Sequence, residues 1–155
     1  MQLYQLMFIY WKKLWVQLLL HTNKLKEVSV KGGFIMRVYS RGDWYYANLN
    51  PVIGSEQAGY RPVLIIQNNT GNRYGRTVIV ASLSCQLEHK PKLPTHCYIQ
   101  AGDALKKPSV VLLEQLRTID KQRLDGYIGS LDQNCMKEVN HALAVSVGLS
   151  GKGIP

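Results

Sequence analysis

Arg61 is the residue whose type and setting carry the most chemistry. It ends a polar, glycine-punctuated segment, Asn50-Pro51-Val52-Ile53-Gly54-Ser55-Glu56-Gln57-Ala58-Gly59-Tyr60, and stands directly before the apolar run Pro62-Val63-Leu64-Ile65-Ile66. A guanidinium rooted on a rigid strand beside a flexible loop can grip a phosphate through two parallel hydrogen bonds. The alternative, a surface ion pair of little energetic value, stays open on this residue alone. The loop has neither the G-x-G-x-x-G nor the P-loop glycine spacing, so it reads as a mobile hairpin connection and not as a nucleotide cradle. Cys85, Cys97 and Cys135 lie far apart and no His/Cys cluster has zinc-ligand spacing. Reduced thiols are therefore expected, with no metal and no cofactor.

Short apolar or aromatic runs separated by turn residues must hold this loop. Asp43 to Leu49 is aromatic-rich, Pro62 to Gln67 is a buried-strand run, and Asn68 to Asn72 turns the chain. Thr77 to Leu83, Thr95 to Gln100 and Ser109 to Leu116, continuing to Ile119, repeat the strand pattern. The last element differs. Ser130 or Asp132 can cap a helix whose stripe is Met136, Val139, Leu143 and Val147, with Gly148 as its stop. Closely spaced strands and one terminal helix predict a small antiparallel barrel, closed or half-closed.

The chain has 155 residues, enough for one domain, and 19 basic against 10 acidic residues give a formal net charge of +9. Such an excess suits an anionic partner, nucleic acid or acidic protein. Residues 1–35 read as a different text. Five lysines and one acid fall there, leaving fourteen basic and nine acidic residues after it. Lys12 and Lys13 interrupt its apolar run, which is too short to span a bilayer and lacks the layout of a secretory signal. An interfacial helix is one reading. The preferred one is a leader included by an early start codon, with the domain running from Met36 to Pro155; peptides from Tyr4 to Lys24 in the native protein would overturn it.

At this point the chain resembles a known family. Arg41-Gly42-Asp43, Leu49-Asn50-Pro51, Gly54-Ser55-Glu56-Gln57-Ala58-Gly59-Tyr60-Arg61-Pro62, Gly71-Asn72-Arg73, Lys92-Leu93-Pro94-Thr95-His96 and Leu112 to Lys121 are similar to the MazF/PemK toxins, firmicute-type members above all. The likeness runs from Arg41 to Leu149. It implies an SH3-like toxin barrel of the CcdB/PemK type, a homodimer in the cytoplasm without membrane attachment, an antitoxin partner, and metal-independent cleavage of single-stranded mRNA. It places the catalytic pair on Arg61 and Ser84. Serine stands where the family usually has threonine, which keeps the hydroxyl and loses the methyl that stiffens the rotamer.

In that setting the RNA's own 2′-hydroxyl attacks the adjacent phosphate, leaving a cyclic phosphate, and the guanidinium and hydroxyl stabilise the developing charge. Glu56 and His96 are alternative proton carriers, although His96 alone reads as structural. Ser55, Glu56, Gln57, Asn68, Gln86 and Gln115 are expected to read base edges, and Tyr60 can stack on one. Two rival readings are a CcdB-like poison that binds DNA gyrase without enzymatic activity, and a nucleic-acid-binding barrel that yields no product.

Overall fold

The computed structural model describes residues 14, 28–31, 34–86, 92–101 and 105–149. Among the described residues there are eight strands: β1 (Val28–Lys31), β2 (Phe34–Arg37), β3 (Asp43–Asn48), β4 (Tyr60–Ile65), β5 (Thr77–Ser84), β6 (His96–Ile99), β7 (Ser109–Asp120) and β8 (Leu124–Ser130). A short helix (Asn69–Tyr74) separates β4 from β5, and a terminal helix (Gln133–Ser146) follows β8. β1 and β2 pair as a separate two-stranded antiparallel sheet, and Met36, the expected domain start, lies within β2. The remaining six strands make one antiparallel sheet in the order β6-β7-β5-β4-β3-β8.

That order forces the sheet to curl. β7 and β8 have three strands between them in the ladder, a distance of roughly 19 Å if the sheet were flat. Only the 3-10 turn Lys121–Arg123 joins them, and so short a link reaches at most about 14 Å. The sheet therefore bends until its two ends approach, as the barrel expectation requires.

Alternating side chains fill both faces. Tyr45, Ala47 and Leu49 meet Val63, Ile65, Val78, Val80, Ile119 and Leu124 on the concave side. Trp44, Leu64, Ala81, Leu83 and Val111 form the convex side, which Val139 and Ala142 of the terminal helix cover. Asp132, not Ser130, caps that helix, accepting from the Asn134 and Cys135 amides at 2.7 and 2.9 Å. These bonds hold its carboxyl below the usual carboxylate range. Among the described residues, no helix is long and apolar enough to cross a membrane.

Three elements depart from the sequence reading. β4 starts at Tyr60, two residues ahead of Pro62, because Asn48↔Tyr60 and Ala47↔Arg61 continue the pairing with β3. The turn expected over Asn68 to Asn72 is largely helix, capped by Asn68, whose side chain accepts from the Gly71 amide at 2.8 Å. β8 had no apolar alternation to announce it. Asp125, Gly126 and Gly129 break the pattern, and its pairing with β3 is itself irregular.

Candidate active site

The loop between β3 and β4 is closed at its neck by its own backbone. The Leu49 amide donates to Gly59 O at 3.0 Å, and the Gly59 amide to Asn50 Oδ1 at 3.1 Å. Gly59 holds φ at +82°, a left-handed conformation that L side chains rarely adopt. Two arginines from outside the loop reinforce this neck. Arg123 Nη1 donates to the carbonyls of Asn48 (3.2 Å) and Asn50 (2.6 Å). Arg117 donates to those of Leu49 and Pro51, the latter at 2.9 Å. Four consecutive carbonyls are thus held by two guanidiniums in alternation, as expected where successive carbonyls of an extended chain point to opposite sides. The Asn50–Pro51 bond is cis.

Arg61 emerges from this neck half-buried, on the same strand face as Val63 and Ile65. Its Nε donates to Ala58 O at 2.7 Å and its Nη1 to Gln57 Oε1. The guanidinium is thereby steered by the loop while other N–H donors remain for a ligand. Ser84 ends β5 on the concave-facing parity of Val78 and Val80, and is 8% exposed. Its Oγ accepts from the Gln86 amide at 3.4 Å. The β4–β5 pairing runs through Leu64↔Ala81 and Val63↔Ser82 and stops beside Pro62, which has no N–H to donate. Arg61 and Ser84 each lie two residues beyond the last pair, Val63↔Ser82, on the same face of their strands.

β7 completes the site through a break in its ladder. Ala81 pairs with Leu116 but Ser82 pairs with Leu112, so Leu113, Glu114 and Gln115 bulge out of the β5–β7 pairing. Gln115 Nε2 reaches Ser55 O on the loop at 3.5 Å. Glu114 is held from β6's end by Thr95 Oγ1 and His96 Nε2, both at 2.9 Å. The bulge, loop and strand floor enclose a cavity of about 340 Å³ lined by Glu56, Gln57, Ser82, Glu114, Gln115 and Arg117.

Of the residues expected to read bases, Ser55, Glu56, Gln57 and Gln115 come together at this cavity, and Gln86 follows Ser84 at the end of β5. Asn68 does not join them. It lines a separate groove of about 490 Å³ with Arg41, Asn140, Leu143 and Val147. Tyr60 is exposed and stacks on Tyr46 at 5.2 Å with 4° between the rings, and its hydroxyl donates to Asp125 at 2.8 Å. Partial burial and that hydrogen bond push the hydroxyl up to about 12. His96 is buried against Glu114. Ser82, Glu114, Arg117 and Arg123 were not singled out from sequence. A serine on the core parity of β5 and two adjacent polar residues inside an apolar β7 run were the available signals. Among the described residues, no three His, Cys, Asp or Glu side chains gather as a metal ligand set.

Comparison with known proteins agrees with this architecture. The chain is 52% identical over 113 residues to endoribonuclease EndoA of Bacillus subtilis, covering 72% of this chain and 97% of that protein. It is 54% identical over 110 residues to endoribonuclease MazF of Staphylococcus saprophyticus, covering 70% and 91%. A solved mycobacterial endoribonuclease in complex with its cognate antitoxin superposes with a TM-score of 0.61 at 27% identity, over 73% of this chain and 98% of that one. MazF from Deinococcus radiodurans shares the fold with a TM-score of 0.63 at 21% identity, over 73% and 99%. Residues 40–147 match the PemK-like, MazF-like toxins of type II toxin-antitoxin systems, and the chain belongs to that family.

Proposed function

We propose that this chain, an endoribonuclease by its family, cuts single-stranded mRNA at a short sequence without a metal ion and serves as the toxin of a toxin–antitoxin pair. The observation that carries this reading is that Arg61 and Ser84 stand on the same face of the paired strands β4 and β5, two residues beyond the last pair Val63↔Ser82, beside a loop whose polar residues converge on one cavity. The 2′-oxygen attacks the adjacent phosphorus, the P–O5′ bond breaks, and the products are a 2′,3′-cyclic phosphate and a 5′-hydroxyl. Negative charge gathers on the phosphoryl oxygens during this step. Arg61 and Ser84 donate to those oxygens, since a guanidinium of pKa above about 12 is a poor proton acceptor.

The cytoplasm is the compartment such a substrate requires. Homodimerisation and neutralisation by an antitoxin whose acidic, disordered tail folds onto the basic surface belong to the same proposal. Support comes from the net charge of +9 and from the solved relative described with its cognate antitoxin.

The test is cleavage of a long single-stranded RNA by the full chain in EDTA, with Arg61→Ala and Ser84→Ala alongside. We expect cuts at one motif, 5′-hydroxyl ends that a kinase labels without prior phosphatase, and a loss of about 100- to 1,000-fold in either variant. Intact RNA with correctly folded protein would reject this mechanism and favour the gyrase-binding alternative.

A further inference from the structure

The cavity next to Gln57, the partner of Arg61, is lined by two carboxylates, Glu56 and Glu114, the amides of Gln57 and Gln115, and one guanidinium, Arg117, which donates to the carbonyls of Leu49 and Pro51. Two acids against one guanidinium, itself engaged by the loop's backbone, make this a poorer place for a phosphate than for a nucleobase carrying hydrogen-bond donors. At about 340 Å³ it lies at the small end of ligand pockets, about 300–1,000 Å³, which suits a single nucleobase. The two acids differ in how they are held. Glu56 sits on the exposed loop, whereas Glu114 is fixed on the β7 bulge by Thr95 Oγ1 on one oxygen and His96 Nε2 on the other.

This clamp is one-sided. The His96 side chain is 2% exposed and that of Glu114 is 34% exposed, so the histidine end is sealed while the carboxylate remains open to the cavity. His96 Nδ1 is buried without a hydrogen-bond partner, so the ring's polar contact runs through Nε2 to Glu114. A carboxylate offers about four acceptor positions, and the clamp occupies two of them. The rest can take donors from a ligand. Backbone geometry ties the clamp to the bulge as well: the Leu113 amide donates to Thr95 O at 3.1 Å, and His96 pairs with Leu112.

Resting on the nuclease reading above, we propose that Glu114 is a specificity-determining residue that accepts hydrogen bonds from the exocyclic amino group of one RNA base in this cavity, and that Thr95 and His96 are its positioning residues. The chemistry selects adenine, cytosine or guanine over uracil. Uracil presents two carbonyl oxygens around its single N–H and would set them against a fixed carboxylate. Arg61 meanwhile takes the neighbouring phosphate, so charge sorts backbone from base within one site.

The experiment uses the full chain and the motif that wild type is found to cut. Each amino-bearing base of that motif is replaced in turn by its analogue without the amino group: purine riboside for adenosine, inosine for guanosine, 2-pyrimidinone riboside for cytidine. At one position the replacement should lower wild-type kcat/KM by about 10- to 100-fold. Glu114→Ala and Glu114→Gln should lose almost all sensitivity at that same position and keep it elsewhere. Thr95→Val and His96→Gln should weaken the same discrimination, read as a smaller KM difference between the motif and its amino-free analogue, with the effect confined to that one position. For any variant too slow to assay, binding of the same RNAs carrying a 2′-O-methyl group at the cut site gives the equivalent ratio of Kd values. Glu114 variants with the wild-type pattern, or a wild type indifferent to all replacements, would overturn the proposal alone. A wild type that cuts no RNA would overturn the nuclease reading and this assignment together.

Discussion

Three arginines of this molecule use the same planar fork for different ends. Arg117 and Arg123 hold backbone carbonyls, while Arg61 is only steered by Gln57 and Ala58 and keeps donors for a ligand. Arg61→Lys keeps the charge but loses the two-pronged donor geometry, and should lower kcat about tenfold or more in the RNA assay. Ser84→Thr should leave cleavage within about threefold of wild type, because it restores a methyl that restricts the rotamer and leaves the hydroxyl in place. The thiols give an independent check on burial. Cys97 is buried and pushed up to about 11 by desolvation and the nearby Glu138 carboxylate, and Cys135 is raised by its hydrogen bond to Asp132 and by burial. Exposed Cys85 should therefore alkylate first in native protein at pH 8, followed by mass spectrometry. At this scale the sequence disclosed Arg61 by its position between loop and strand. It could not disclose Glu114, whose importance comes from two partners on another strand.

Elements were legible where their side chains kept a period. β5 and β7 are rich in β-branched and aliphatic residues, and the stripe of the terminal helix lands Val139 fully inside the core. Val139→Ala should cost about 2 kcal/mol in a denaturant melt, the loss of two buried carbons and the void they leave. β8 was illegible because glycines and an aspartate interrupt it at the irregular edge of the sheet, where pairing with β3 alone defines it. The β7 bulge was hidden for a related reason. Its three residues are strand-like in type, and only the offset between Ala81↔Leu116 and Ser82↔Leu112 reveals them. Gly42 marks the contact of β3's start with the helix: its φ is +90°, and an added Cβ would come within 3.3 Å of Met136 Sδ. Gly42→Ala should destabilise the fold by about 1–2 kcal/mol through backbone strain alone.

For the whole molecule, the net charge of +9 gives a prediction that separates phosphate contacts from base contacts. Binding of single-stranded RNA should weaken with salt at a log–log slope of about −0.7 per phosphate engaged, so four contacts would mean roughly 50-fold between 50 and 200 mM. Arg61→Ala should flatten that slope by close to one contact, while Glu114→Gln should leave it unchanged. Barrel architecture was legible as a count of strands and one helix, but its closure was not. That follows from a three-residue link between β7 and β8, which sequence can show only after both strands are known.

The four carbonyls of Asn48, Leu49, Asn50 and Pro51, gripped by Arg117 and Arg123, have a further meaning. They anchor the loop's base to the β7–β8 corner of the sheet, and residues 52–56 lie outside both this anchorage and the contacts that Gln57 and Ala58 make with Arg61. Heritable change can therefore accumulate in that tip, in residue type and even in length, while the mouth of the barrel stays in register. Descendants of one scaffold can acquire new target sequences by rewriting a few tip residues, with no need to re-evolve a stable fold.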